Sequence, residues 1–249
     1  MQEKLTVLKE QLANSQKIAF FGGAGVSTAS GIPDFRSAEG LFMQENGYTY
    51  SAEQIVSNSF YRQHPREFFD YYYENLVYPE AKPNKAHQFL AELETTGKDV
   101  SIITQNIDGL HQLAGSSKVF ELHGSVLRNH CETCGKSYGL PEIVKDGEGV
   151  PRCPLDGGIV RPDVVLYEEG LDQSVVNGAV DSLLQADMLI VAGTSLVVYP
   201  AAGLIDYFNG KYFVVINKTP LQVRNQDALV FEATLDEVFG GVKEEEADV

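Results

Sequence analysis

Short runs of apolar, often β-branched residues recur along the chain at the length of buried strands. They cover residues 17–21, 100–103, 188–192, 212–216 and 228–231. Runs of this length without polar alternation are typical of strands that are covered on both faces. The pattern predicts five buried strands.

Helical periodicity separates these runs. Residues 86–94 and 173–185 each place their apolar side chains on one face of a helix, and the N-terminal segment does the same. The side chains on these three faces are Leu5, Leu8, Leu12, Phe89, Leu90, Leu93, Val176, Val180 and Leu183. Because strands that alternate with helices form parallel sheets, the predicted fold class is α/β. We expect a doubly wound, Rossmann-like sheet that binds its ligand at the carboxyl ends of the strands.

Two insertions interrupt the alternation. Residues 39–79 are rich in aromatic side chains and predict a helical insertion, whereas residues 124–161 contain glycines, prolines and all three cysteines. We therefore expect a large Rossmann-like domain, formed by residues 1–38, 80–123 and 162–249, and a small domain built from the two insertions.

The charge balance argues against several kinds of partner. Thirty-five acidic and 19 basic side chains give a net charge of −16, whereas phosphate backbones and anionic lipids attract Lys and Arg. We expect no nucleic-acid partner and no membrane partner, and the apolar runs are too short to span a bilayer. The N-terminus lacks the basic start and apolar block of a signal peptide. A cytoplasmic protein is expected, and the sequence does not indicate its oligomeric state.

The three cysteines are odd in number and clustered, which favours a metal site in a reducing compartment over a disulfide framework. Cys131 and Cys134 form one pair, and Cys153 is followed at the same spacing by Asp156. This is zinc-ribbon spacing, in which paired ligands on two turns converge on a tetrahedral ion. Because zinc accepts a carboxylate, Asp156 is the predicted fourth ligand. The alternatives are His130 or water in that position, or loss of the metal.

The first strand leads into a glycine-rich loop, GGAGVST, at residues 22–28. Glycines allow a sharp turn and a close approach to a ligand, and successive N–H groups can cradle a pyrophosphate. A purely structural turn is the alternative, because Thr28 stands where the usual dinucleotide fingerprint has its third glycine. The continuation favours a ligand, since Asp34, Phe35 and Arg36 bring an acid, an aromatic ring and a guanidinium into one loop.

A second polar loop, TQNIDGLH, follows the predicted strand at 100–103. Its side chains lie at the same edge of the predicted sheet and are suited to holding ribose hydroxyls and a carboxamide. The alternative is that Asn106 and Asp108 only form a turn or cap a helix that begins near Gly109.

Six blocks, taken together and in order, resemble the sirtuins, which are NAD-dependent protein deacylases. They are GAGVSTASGIPDFRS (23–37), TQNIDGLHQLAG (104–115), ELHGS (121–125), RPDVVLYEE (161–169), GTSLVVYPAA (193–202) and VIN (215–217). The resemblance implies a Rossmann-type NAD-binding domain, a small zinc-ribbon module and a cleft between them where NAD and acyl-lysine meet. The family has a cysteine where this chain has Asp156, so the zinc site departs from the family pattern.

The matching positions imply which residues bind NAD. Gln105 and Asn106 would contact the ribose, and Ile107 and Asp108 would hold the nicotinamide carboxamide. The remaining positions would surround the phosphates, the reacting centre and the adenosine half: Gly23, Ala24, Gly25, Thr28, Asp34, Phe35, Arg36, Gly193, Thr194, Ser195 and Asn217.

The resemblance assigns His123 as the general base, with Asn106 beside it as a second catalytic residue. In the family mechanism the acyl-lysine carbonyl oxygen attacks the ribose carbon that bears nicotinamide, while the base removes a proton from a ribose hydroxyl. A histidine is suited to this because its pKa lies near neutrality. The expected products are lysine, nicotinamide and acyl-ADP-ribose. The alternatives are a protein mono-ADP-ribosyltransferase and a non-catalytic NAD-binding interaction module.

The substrate side is implied by the segment Val164, Val165, Leu166 and Tyr167, which matches the strand that pairs with the acyl-lysine peptide in the family. The usual Phe-Gly-Glu has become YEE at 167–169. Its extra carboxylate either favours basic residues near the target lysine or is a solvated surface group.

The acyl preference is predicted from a second family pattern. Members that prefer acidic acyl groups carry a Tyr-x-x-Arg pair, and the corresponding stretch here is YYYE at 71–74. Glu74 in that place predicts a preference for neutral acyl groups, acetyl first. The alternative is that the aromatic residues of this stretch only pack a helical module.

Overall fold

The described residues form two sheets in the computed structural model. The larger sheet contains six parallel strands: β1 (Lys17–Gly22), β2 (Asp99–Thr104), β3 (Val119–Glu121), β7 (Met188–Ala192), β8 (Tyr212–Asn217) and β9 (Leu229–Glu232). The smaller sheet is antiparallel and contains β4 (Gly124–Cys131), β5 (Ser137–Gly139) and β6 (Val160–Val164). The structure describes residues 1–35, 37, 40–42, 49–221 and 227–244.

The strand order of the larger sheet is β3-β2-β1-β7-β8-β9. This order reverses between β1 and β7, which is the point where doubly wound sheets bind their ligands. All five predicted strands are confirmed within one residue at each end. The three-residue β3 was not predicted, because its side chains are only half-buried and form no apolar run.

Helices cover both faces of the large sheet. α1 (Gln2–Ala13), α5 (Lys85–Thr95) and α8 (Leu235–Glu244) pack on one face against alternate strand residues such as Ile18 and Phe20. α7 (Gln173–Gln185) packs on the opposite face against Ala19 and Phe21. The predicted apolar faces of α1, α5 and α7 are confirmed, and none of the described helices has the length and apolar character needed to cross a membrane.

Between β1 and α5, the described residues form three α-helices: α2 (Ala52–Ile55), α3 (Asn58–Gln63) and α4 (Pro65–Asn75). Their starts follow from local sequence, because Ser51 and Ser57 accept hydrogen bonds from N–H groups of the first turns of α2 and α3, and proline opens α4. Their aromatic side chains form one core with Val126, Val164 and Leu166. The helical insertion therefore packs on the small sheet.

The small sheet begins where the large one ends. Gly124 has φ of +77°, and a Cβ there would lie 1.8 Å from the carbonyl oxygen of Asp163 on β6, so only glycine fits. The pairing of β4 with β6 extends from Cys131 opposite Val160 to Gly124 opposite Val164. The small sheet therefore continues past residue 161. A further short helix, α6 (Leu110–Ala114), lies between β2 and β3.

Candidate active site

Two loops meet at the reversal of strand order, one after β1 and one after β7. A Cβ on Gly23 or Gly25 would lie 2.8 Å from backbone atoms of Gly193, and a Cβ on Gly193 would lie 2.5 Å from the backbone nitrogen of Val26. The N–H of Gly25 donates to the carbonyl of Gly193 at 2.8 Å. The three glycines are therefore required for the backbones of the two loops to touch, and all three also line the cavity described below.

The loop after β2 is tied to the glycine loop through Ser27. The Ser27 hydroxyl donates to Oδ2 of Asp108 at 2.6 Å and accepts from Nδ2 of Asn106 at 3.0 Å. Oδ1 of Asp108 accepts from the N–H of Leu110, the first residue of α6, at 2.9 Å, so the expected turn is also formed. Asn106 and Asp108 are thus fixed in orientation before any ligand binds.

His123 follows β3 and precedes Gly124, at the junction of the two sheets. Its Nδ1 lies 2.9 Å from the carbonyl oxygen of Gln105. Because a carbonyl only accepts, Nδ1 carries the proton and Nε2 is the unprotonated nitrogen of the neutral ring. Burial lowers the pKa of His123, and the hydrogen bond to Gln105 opposes this in part. The neutral ring is therefore the form present at pH 7, as a general base requires.

A cavity of about 860 Å³ opens between the loops, the small sheet and the helical insertion. Every predicted cofactor and substrate position within the described residues lines it, whereas Arg36 lies outside the described residues. The lining includes Gly23, Ala24, Gly25, Thr28, Asp34, Phe35, Gln105, Asn106, Ile107, Asp108, His123, Val164, Val165, Leu166, Tyr167, Gly193, Thr194, Ser195 and Asn217.

The cavity wall next to α4 differs from the prediction. Glu74 is exposed and does not line the cavity; Asn75, Leu76 and Tyr78 line it instead. Glu74 therefore does not lie where it would meet an acyl group in the cavity, and the role predicted for it is wrong. Helical periodicity is the reason, because a residue one position away on a helix points about 100° away from its neighbour.

The carboxylate of Glu168 is bound within the protein. Its two oxygens accept from the backbone N–H of Ser59 at 2.8 Å and from the Ser59 hydroxyl at 2.9 Å. Glu169 pairs with Arg161 at 2.6 Å and accepts from the N–H of Leu166. Glu168 is exposed, as a surface group would be, and its carboxylate is also hydrogen-bonded to Ser59.

The predicted metal ligands come together at the far end of the small sheet. The Sγ atoms of Cys131, Cys134 and Cys153 and a carboxylate oxygen of Asp156 all lie within 4.8 Å of one another. Cys134 Sγ and Cys153 Sγ are 3.8 Å apart, and Cys131 Sγ is 3.4 Å from Asp156 Oδ1. Tetrahedral zinc with Zn–S of about 2.3 Å and Zn–O of about 2.1 Å requires separations of about 3.8 and 3.6 Å. The residues therefore fit zinc.

His130 is not part of this cluster. Its Nδ1 pairs with Asp163 at 2.5 Å, so Asp156 rather than His130 stands in the fourth position. The cluster is distinct from the cavity, whose lining contains none of its four residues. A metal bound there supports the small sheet and takes no part in chemistry at His123.

Sequence reasoning missed two residues that position the site. Ser27 joins the two loops, although its own loop was recognised. Asn84 donates to the carbonyl oxygen of Val26 at 2.7 Å and caps α5, so it ties that helix to the glycine loop. The signal for Asn84 was a cap residue directly before a periodic helix, but a cap does not reveal which loop the side chain also reaches.

The strand order and the cavity at its reversal place the chain among the Rossmann-type dinucleotide-binding proteins. Residues 23–200 match the Sir2 family model, and the chain belongs to that family.

Known proteins extend this similarity over the whole chain. A Clostridium perfringens NAD-dependent protein deacetylase is 56% identical, covering 97% of this chain and 99% of that protein. A solved Sir2 structure with p53 peptide and NAD+ is 35% identical, with a TM-score of 0.85 over 98% of this chain and 99% of that one. A Sir2 complex with deacetylated p53 peptide and 3′-O-acetyl ADP ribose is 34% identical, with a TM-score of 0.87 over 97% of this chain and 98% of that one.

Proposed function

We propose that this protein is an NAD-dependent protein-lysine deacetylase that releases nicotinamide and O-acyl-ADP-ribose. The observation that carries the proposal is the position of His123, which lines the cavity as a neutral base whose proton is held on Nδ1 by Gln105. Relatives that match nearly the full length bear the same activity in their names, and Sir2 structures hold acetylated peptides.

The residues that line the cavity are chemically suited to NAD. The glycine loop allows phosphates to approach its backbone, and the fixed side chains of Asn106 and Asp108 supply an amide and a carboxylate for the ribose and the carboxamide. NAD supplies an electrophilic ribose carbon with nicotinamide as the leaving group. The remaining loops after β7 and β8, which include Thr194, Ser195 and Asn217, would hold the adenosine half.

In this reaction the protein positions two substrates and accepts one proton. Nε2 of His123 would take the proton of a ribose hydroxyl, and Asn106 would orient that ribose through its amide. The Ser27 hydroxyl would keep the Asn106 amide from rotating, because it is itself fixed by Asp108.

The acyl-lysine peptide is proposed to bind along Val164–Tyr167, by backbone pairing. Neutral acyl groups are supported by the wall of the cavity and no longer by Glu74. Within the described residues, Lys218 is the only Lys or Arg that lines the cavity, and it follows β8 on the adenosine side. An acidic acyl group bound near α4 would lose its hydration, and no Lys or Arg among the described residues there would pair with its charge.

We propose that the chain divides into an NAD-binding domain of residues 1–38, 80–123 and 162–249, a helical insertion of 39–79 and a zinc module of 124–161, with β6 of the small sheet crossing the last boundary to Val164. The zinc ion would be structural. A cytoplasmic location is supported by the clustered thiols, because such a site needs a reducing compartment. A net charge of −16 supports a substrate that is a protein and not a nucleic acid.

The test is mass spectrometry of an acetyl-lysine peptide incubated with purified protein, with and without NAD, together with measurement of released nicotinamide. We expect loss of the acetyl group only with NAD and in equal amount to nicotinamide. His123→Ala should abolish both, whereas His64→Ala, which changes a histidine outside the cavity lining, should retain them. ADP-ribose attached to protein would indicate ADP-ribosyl transfer, and NAD binding without turnover would indicate a binding module.

A further inference from the structure

Glu168 occupies a backbone conformation that side chains rarely adopt. Its φ is +76°, in the left-handed region, and Leu196 is the only other non-glycine residue in the described chain with positive φ. A residue with a Cβ disfavours this region by a factor of about ten in population, whereas glycine does not. Something other than local preference must therefore hold residue 168 in place.

The side chain of Glu168 supplies that restraint. Its two carboxylate oxygens accept from the N–H and the hydroxyl of Ser59. The backbone of the preceding residue, Tyr167, is hydrogen-bonded to the same region. The N–H of Tyr167 donates to Val56 at 3.1 Å, and the N–H of Asn58 donates to Tyr167 at 3.0 Å. The segment 166–169 is thus attached to the start of α3 by both its backbone and its carboxylate.

We propose that Glu168 is a positioning residue that holds the peptide-binding segment in its binding shape before the peptide arrives. The proposal rests on the proposed function, because it assumes that the segment Val164–Tyr167 pairs with the acyl-lysine peptide. A segment ordered in advance does not lose its own conformational freedom when it binds, so peptide affinity increases. The carboxylate acts through Ser59 and not by attracting basic residues of the peptide.

Substitution by glycine and by alanine separates the two explanations. Both remove the charge and the contact with Ser59, but glycine adopts φ of +76° without cost and alanine does not. We expect Glu168→Ala to raise the peptide Kd and KM about tenfold, which corresponds to about 1.4 kcal/mol. Glu168→Gly should raise them no more than about threefold, and kcat and the KM for NAD should stay within about twofold in both variants.

Two peptides complete the test, one with lysine or arginine beside the acetyl-lysine and one with neutral residues there. Equal losses for both peptides in Glu168→Ala, with recovery in Glu168→Gly, support the proposal. Alanine and glycine variants that bind equally well, or a loss confined to the basic peptide, overturn it and favour direct charge attraction.

Hydrogen exchange of residues 164–170 in the free protein tests the restraint by Glu168 independently of the proposed function. The segment should exchange faster in Glu168→Ala and in Ser59→Ala than in the wild type. If the wild type shows no deacetylation but this exchange pattern is seen, the proposed function fails and the restraint stands. Unchanged exchange in both variants overturns the restraint, whatever the activity.

Discussion

Replacement of Gly193 by alanine tests whether contact between two loop backbones determines both stability and NAD binding. Gly193 has φ of +56°, and a Cβ at this position would meet the backbone nitrogen of Val26 at 2.5 Å and the carbonyl carbon of Gly25 at 2.7 Å. These neighbours are backbone atoms of the glycine loop, so no side-chain rotation relieves the overlap. Gly97 is the matched control, because it has φ of +87° and open space around its Cβ position.

Two costs add in the Gly193 variant. The left-handed backbone costs an alanine about 1–2 kcal/mol at either glycine. At Gly193 the contact must also lengthen from 2.5 Å to at least 3.4 Å, which separates the loops and breaks the hydrogen bond from Gly25. A hydrogen bond contributes a net of about 1 kcal/mol, so we expect a loss of about 2–3 kcal/mol for Gly193→Ala.

The assays are thermal melting and calorimetric titration with NAD. At about 2–4 °C per kcal/mol for a chain of this length, Tm should fall by roughly 4–12 °C for Gly193→Ala and by roughly 2–8 °C for Gly97→Ala. NAD binding should weaken at least about tenfold only in Gly193→Ala, because only that change moves the cavity wall. If Gly193→Ala has the same Tm as Gly97→Ala and the same affinity for NAD as the wild type, the loop contact is unimportant.

Three further predictions concern acid stability, the metal and a helix. Burial lowers the pKa of His87 to about 4 and that of His111 to about 3. Because the unfolded chain binds these protons below about pH 6.5 and the folded protein does not, the free energy of unfolding should fall by about 1.4 kcal/mol per pH unit per histidine between about pH 6.5 and 4. In denaturant titrations, His111→Phe should reduce the slope of unfolding free energy against pH by the contribution of one histidine. An unchanged slope would contradict the assignment. Purified wild type should contain zinc by elemental analysis. The chelator concentration at which half of the zinc is lost should rise in Asp156→Cys and fall in Asp156→Ala. Metal-free wild type with the same Tm in the presence and absence of chelator would contradict this prediction. In α8, Gly240→Ala should raise stability by about 0.5–1 kcal/mol because nothing lies near its Cβ. Gly241→Ala should not, since its Cβ would meet a buried leucine of α1 at 2.7 Å; equal melting shifts would refute this distinction.

Much of the large sheet could be predicted because its signal is local. A strand buried on both faces must be apolar at every position, and a helix on its surface must be apolar on one face, so β1, β2, β7, β8 and β9 are visible in the sequence alone. The strands of the small sheet carry mixed burial and one irregular register, so no simple period marks them. β3 is likewise too short and too exposed to produce a pattern.

The functional residues divide in a similar way. The chain determined by itself which residue types form the two loops, the histidine block and the metal spacing, because glycine freedom, imidazole basicity and thiolate ligation are properties of the residues themselves. Their positions in the motifs were enough to predict His123 and the Cys131, Cys134, Cys153 and Asp156 cluster.

Only the tertiary structure decided what each polar side chain contacts across the chain. Ser27 binds two residues of the loop after β2, Glu168 binds Ser59 on a helix more than a hundred positions earlier, and Glu74 faces away from the cavity. None of these pairings leaves a local pattern, because a hydrogen bond or a helix rotation depends on the final packing of distant elements. The sequence thus determined the chemistry available to this protein, and the fold decided which groups are held in position to use it.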